Sequence, residues 1–315
     1  MNQLIDWTNL SAALSRQEEF SSLFFDSKDL TLKQKQELLK TFVISLHSET
    51  TGICEAVNYK DHRCLPDSVD VQKILYKSVD IYRYVLAILN LWGIDDQQFI
   101  TALKQKDDFL HYRHLMSQKS WQGQPIVLLD LDDVMADFRD SFFDFVNKKY
   151  NIVMHVESEE YYSVSALKEN GIANEEAFKS FIDDHGLAKL AVNQRYRELM
   201  NHLKALGYWI QVVTARPANN LVCFYDTYSW LSQNDLQVDA VTFTPEKFRW
   251  LSEQKFYNSA KFFAVDASSK HAMEYAKHGV KVIVPQQTYN KDVIGLKNIV
   301  YVPHDANPID FIPNL

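Results

Sequence analysis

The 315-residue chain is 46% hydrophobic and 13% aromatic, and its 33 basic against 41 acidic side chains leave a net charge of −8. This length suits two domains and this apolar content fills two cores, which excludes a disordered or fibrous chain. The acidic balance, with no local basic cluster, excludes a polymeric nucleic acid as the expected partner. The start, Met1 to Trp7, has no basic region followed by an apolar stretch of export length, and no later segment reaches membrane-spanning length. A cytoplasmic protein with no membrane partner is therefore expected. Cys54, Cys64 and Cys223 match neither a zinc ribbon nor a redox pair and are expected to be inert thiols.

From 30 to 115, Leu and Ile recur at helical spacing, and the only Pro and Gly are Pro66, Gly52 and Gly93. This predicts helices over 31–60, 67–92 and 95–117, with Asp95 capping the last. The polar stretch 117–125 then separates an all-α domain, 1–120, from a second domain, 121–315. Beyond it, short apolar strands at 126–131, 208–214, 239–243, 261–266, 280–285 and 298–302 alternate with amphipathic segments such as 193–206 and 269–278. That alternation predicts an α/β domain, a parallel sheet covered by helices on both faces. The interval 139–192, polar and aromatic without a convincing strand, reads as a helical cap inserted after the first strand.

Four predicted strand ends carry reactive groups, and open α/β sheets bind ligands beyond the carboxyl ends of their strands. Asp130 and Asp132 follow Ile126-Val127-Leu128-Leu129. One can attack a phosphorus atom while the other donates a proton to the leaving alcohol. Thr214, Ala215 and Arg216 end the second strand with a hydroxyl and backbone N–H groups suited to a phosphoryl oxygen. Lys247 follows the third and can neutralise developing charge. Asp266 ends the fourth with a carboxylate for a hard cation. Taken alone, Asp130-Leu131-Asp132 could equally cap the following helix, and Lys247 could be a solvated surface lysine.

In order and chemistry these pieces resemble the haloacid dehalogenase (HAD) superfamily of phosphohydrolases, most of all its 5′(3′)-deoxyribonucleotidase-like branch. The likeness covers about 121–315 and includes Val265-Asp266-Ala267-Ser268-Ser269-Lys270, Gly279 to Pro285, and Tyr289-Asn290. It implies a Rossmann-like domain in which Asp130 is the nucleophile and Asp132 the acid/base. Thr214 would bind phosphoryl oxygens, with Ala215 and Arg216 beside it, and Lys247, or alternatively Lys255, would stabilise nucleophile and phosphate. Asp130, the main-chain carbonyl of Asp132 and Asp266 would hold Mg²⁺. Two positions depart from that pattern: Asp133 stands where a Gly is usual, and Ala267 where a second acid is frequent.

Between 35 and 115, Glu49, Glu55, Asp80, Gly93-Ile94-Asp95, Lys106-Asp107-Asp108 and Arg113 resemble the all-α nucleoside-triphosphate pyrophosphatases, the MazG and dimeric dUTPase group. That family needs acids at the positions of Gly52 and Lys77, and an Asn near Leu110. A lysine at a ligand position opposes a two-metal site, so Glu49, Glu55 and Asp80 are expected to form at most a degenerate one. Dimerisation, nucleotide sensing and residual pyrophosphohydrolase activity all stand open for this block, as do ordinary helix-face ion pairs.

The whole is expected to be a Mg²⁺-dependent phosphohydrolase acting on a small-molecule phosphoester, a nucleoside monophosphate in the first instance, with a homodimer through the helical domain in view. A non-enzymatic nucleotide-binding regulator and a phosphatase of non-nucleotide esters are the competing expectations. In the cap, Tyr161, Tyr162, Phe178 and Phe181 are expected to pack against the core rather than stack on a base.

Overall fold

Polar caps set the starts of the long N-terminal helices. The computed structural model describes residues 8–57, 69–154 and 164–312. Its first elements are α1 (Thr8–Ser21), α2 (Leu32–Cys54), α3 (Val71–Leu91) and α4 (Asp96–Ser117). Thr31 accepts the backbone N–H of Gln34 while the Gln34 side chain accepts that of Thr31, a reciprocal capping box for α2. Asp70 accepts the Lys73 N–H and caps α3. Helix α1 lies outside the predicted helices, because Leu10, Ala13 and Leu14 are too short an apolar pattern to stand out. Leu10 and Leu14 nonetheless pack with Leu86, Leu89 and Ile100 in the small core of this region.

The chain divides into two compact units, Met1–Lys104 and Gln105–Leu315, so α4 runs across the division. The boundary expected at 120/121 falls in the stretch after α4.

The second unit opens with β1 (Ile126–Leu129), followed by α5 (Phe138–Tyr150), α6 (Val164–Glu169), α7 (Asn174–Asp183) and α8 (Gln194–Ala205). Then β2 (Trp209–Thr214), α9 (Leu221–Gln233), β3 (Ala240–Phe243), α10 (Lys247–Ser252), β4 (Phe262–Val265), α11 (Ser269–Lys277), β5 (Lys281–Pro285) and β6 (Ile299–Val302) alternate. All six strands are parallel, in the order β3-β2-β1-β4-β5-β6. This is the Rossmann-like α/β architecture expected. Successive strand residues enter opposite cores: Val127 and Leu129 join Phe263 and Val265 on one face, while Ile126 and Leu128 join Ala264, Val282 and Val284 on the other. Burial on both faces is why these strands read as continuous apolar runs.

The order places β1 at the centre, where the chain winds first towards β2 and β3 and later towards β4, β5 and β6. Such a switch point leaves a crevice at the carboxyl ends of the two central strands. In the helical insertion, Phe138, Phe142 and Phe181 pack edge to face and stacked. Phe181 is buried, as expected, and Phe178 is partly buried against the same cluster. Tyr161 and Tyr162, like Cys64, lie outside the described residues. Cys223 is buried and Cys54 exposed. Among the described residues no helix is long and apolar enough to cross a membrane.

Candidate active site

Each candidate side chain sits within a few residues of a strand end, held by hydrogen bonds that prolong the sheet. Asp130 donates its N–H to the Val265 carbonyl (2.9 Å), Asp266 to that of Ile283 (3.1 Å), and Thr244 to that of Thr214 (2.8 Å). Beyond Asp130 the chain wraps into a tight turn: the N–H groups of Val134, Met135 and Ala136 converge on the Leu131 carbonyl. Asp133 occupies this turn at φ +58°, the left-handed region. The position usually held by Gly thus retains the backbone shape that favours Gly, and Asp is among the few other residues that adopt it readily.

Lys247, the first residue of α10, reaches into the crevice and is almost wholly buried. Its ammonium lies 2.8 Å from Asp130 Oδ1 and 2.7 Å from Asp266 Oδ2. Lys255, the alternative, is exposed in the turn after α10 and has no such contact among the described residues. Asp130 Oδ1 also accepts the Leu131 N–H (2.8 Å), and Asp266 Oδ1 accepts that of Ser268 (2.9 Å). Burial, together with the like charges of Asp266 and Asp132, outweighs Lys247 and lifts the Asp130 carboxyl above the ordinary range. Burial also pushes on Asp266, but Lys247 and His271 overcome it and hold that group low. The difference follows from the neighbours: two like charges act on Asp130, whereas Asp266 has the His271 ring 3.6 Å from its Oδ2 in addition to Lys247.

Asp132 points to another cation. Arg216 Nη2 lies 2.6 Å from its Oδ1, and Nε lies 3.2 and 3.1 Å from its two oxygens. The guanidinium is buried and donates also to Thr227 Oγ1 (3.0 Å), whose hydroxyl is anchored on the Cys223 carbonyl. Arg216 therefore fixes Asp132 in one orientation, a planar fork on a carboxylate. Thr214 is fully buried and its hydroxyl accepts the Arg216 N–H at 3.3 Å. Ala267, where a second acid is frequent in the family, is buried, and its carbonyl accepts from Asn290.

These groups border a cavity of about 490 Å³ lined by Asp130, Asp132, Ala215, Arg216, Lys270 and His271, with Phe138, Phe178 and Tyr289 on its walls. Tyr289 donates its hydroxyl to Asp133 Oδ2 (2.8 Å), and Asp133 Oδ1 accepts the Arg139 N–H (2.9 Å). The Arg139 guanidinium covers the Phe143 and Tyr289 rings and donates to Thr288. Burial, outweighing those two donors, lifts the Asp133 carboxyl to about 7. Thr227, His271 and Arg139 carried no sequence signal, since each acts through a contact that depends on side-chain direction in the folded chain.

Among the described residues, Lys247 and Arg216 are the two permanent cations in contact with Asp130, Asp132 and Asp266, with the His271 ring 3.6 Å from Asp266, so the three carboxylates outnumber the permanent positive charges. Asp130 Oδ2 and the Asp132 main-chain carbonyl take no hydrogen bond among the described residues. No three acidic, His or Cys side chains among the described residues form a metal site by themselves. A carboxylate, a main-chain carbonyl and Asp266 together are nevertheless an all-oxygen donor set of the kind Mg²⁺ takes, and the residues fit that ion.

The other predicted group is not drawn into one site. Glu49 pairs with Lys77 at 2.6 Å and Glu55 with Lys73 at 3.0 Å, while Asp80 has no ion pair among the described residues. Arg113 lies over the Phe109 ring in the second unit.

No family model matches the chain, and no curated protein matches it. Among solved structures it is similar to a protein from Haemophilus somnus described as a predicted phosphoglycolate phosphatase (14% identity, 61% of this chain and 98% of that one, TM-score 0.40). It is similar also to CbbY from Rhodobacter sphaeroides in complex with xylulose 1,5-bisphosphate (12% identity, 56% of this chain and 93% of that one, TM-score 0.36). A hydrolase from Streptococcus pneumoniae stands at 12% identity, 51% of this chain, 92% of that one and TM-score 0.36.

Proposed function

We propose that the Gln105–Leu315 unit is a Mg²⁺-dependent phosphohydrolase of the HAD type that acts on nucleoside monophosphates through a covalent aspartyl-phosphate. The observation that carries the reading is the pairing of two carboxylates two residues apart with two different buried cations. Asp130 is clasped with Asp266 by Lys247, and Asp132 is forked by Arg216. A nucleophile and an acid/base need separate environments, and the two cations provide them.

In this mechanism Asp130 attacks phosphorus and the bond to the leaving oxygen breaks as Asp132 delivers a proton to it. Asp132 then takes a proton from water, which attacks the phosphorus of the aspartyl-phosphate and releases inorganic phosphate with Asp130 restored. Lys247 offsets charge on Asp130 and the phosphoryl oxygens, and the Thr214 end of β2 supplies further donors. Asp130, the Asp132 carbonyl and Asp266 would hold Mg²⁺, which offsets the phosphate charge and aligns it. Three aromatic walls, Phe138, Phe178 and Tyr289, favour a leaving group with a flat ring over a polyhydroxylated sugar.

Phosphate release with Mg²⁺, measured over nucleoside monophosphates and sugar phosphates, tests this reading. Nucleoside monophosphates are expected to turn over at least about tenfold more efficiently, the scale of one lost stacking contact. Better turnover of sugar phosphates would replace the substrate class, and no release from any ester would remove the phosphatase reading.

A further inference from the structure

Helices α1, α2 and α3 of the N-terminal unit, with the turn after α1, border a second, open cavity of about 430 Å³, within the size range of small-molecule sites. Its walls are aromatic: Phe42 lies 6.4 Å from Phe25 and 6.1 Å from Tyr84, and the Arg83 guanidinium covers Phe20 at 4.4 Å. Glu49, Asp80 and Arg83 are the charged residues of the lining.

The resemblance of this block to metal-dependent pyrophosphatases would put divalent cations beside these acids, and the residues present do not fit them. Lys77 Nζ sits 2.6 Å from Glu49 Oε2. The Lys77 Cε and Cδ lie 3.0 and 3.1 Å from where a Cβ at Gly52 would stand, so the lysine stem runs along backbone that only Gly leaves bare. Gly52 and Lys77, far apart in the chain, thus fit each other: the bare backbone at 52 leaves room for the stem of the cation from 77. Asp80, half-buried on the cavity wall, has no hydrogen bond or ion pair among the described residues.

The remaining charges decide what the cavity can take. Lys77 is committed to Glu49, Lys73 to Glu55, and Arg83 to Phe20 and to Gln17 at 3.3 Å. Of these cations only Arg83 lines the cavity, and its neutral contacts leave its charge in place, while Asp80 offers acceptors and the rings offer stacking faces. We propose that this cavity is a metal-independent binding site for a planar heteroaromatic ligand bearing an amino donor, the Glu49 carboxylate being already met by the Lys77 ammonium where a metal would otherwise bind. The amino group donates to Asp80, and the ring lies among Phe25, Phe42 and Tyr84.

Calorimetric titration of the full chain with adenosine, cytidine and uridine tests the proposal without measuring turnover, so it stands or falls apart from the phosphatase reading. Adenosine and cytidine, which carry an exocyclic amine, are expected to bind equally well in EDTA and in Mg²⁺, and more tightly than uridine. Asp80→Ala and Phe42→Leu should each weaken them by about tenfold, the scale of one charged hydrogen bond or one ring contact. Asp80→Asn, close in shape, serves as the second variant if Asp80→Ala melts early by circular dichroism. The proposal is overturned by binding that needs Mg²⁺, by binding indifferent to the Asp80 and Phe42 variants, or by no binding of any of the three nucleosides at millimolar concentration.

Discussion

Two lysines, each drawn to acids, give the two units opposite characters. Lys247 enters a buried crevice at strand ends and faces two carboxylates there, so its one charge leaves acid unbalanced and a cation still has a place. Lys77 lies between helices, meets one carboxylate and balances it, and its stem fills the room beside Gly52. On the proposed readings, the same residue type would leave room for a metal in one site and take its place in the other. What differs is the number of acids per ammonium and the depth of burial.

The largest expected effect separates the two lysines by stability. Lys247→Met leaves Asp130 and Asp266 buried without their partner and should cost about 3–5 kcal/mol of unfolding free energy at pH 8, read by urea denaturation. Lys77→Met, at a half-exposed pair, should leave the unfolding midpoint nearly unchanged. Equal responses would erase the contrast.

A second effect concerns Asp133, whose folded carboxyl titrates near 7 against 3.8 in the unfolded chain. A raised carboxylate pKa favours the protonated folded state. The Asp133 contribution to stability is therefore greatest below the unfolded value and falls as pH rises from about 4 to about 7, by about 4 kcal/mol at most. In EDTA, Asp133→Asn should flatten that fall, since Asn adopts the left-handed turn and carries no charge. An unchanged pH dependence of the melting temperature would contradict the buried-acid description.

The third is smaller and kinetic. Arg216→Lys keeps the charge but loses the fork on Asp132, and should lower kcat about 10- to 100-fold with little change in KM. A rise in KM alone would make Arg216 a substrate contact instead of a support for Asp132. Smaller still, Asp266→Ala should raise the Mg²⁺ concentration needed for half-maximal rate, and indifference to Mg²⁺ would place the cation elsewhere.

Much of the second unit was legible because doubly covered strands are apolar without interruption. The runs at Ile126–Leu129 and Phe262–Val265 mark both the strands and, by their ends, Asp130 and Asp266. The pairing of Asp132 with Arg216 was not legible: it joins residues 84 apart in sequence and depends on the side-chain direction of each. Lys247 and Lys255 could not be told apart from sequence either, because the choice turns on α10 starting at 247. In the helical unit, Gly52 and Lys77 were visible as misfits to a metal site. Their fit to each other needed the packing of α2 on α3.

The central claim is that Asp130 is a nucleophile. Phosphate release from a nucleoside monophosphate with Mg²⁺ should fall by about a thousandfold or more in Asp130→Asn, with the melting temperature preserved. Turnover by Asp130→Asn equal to that of the unaltered chain would contradict the account.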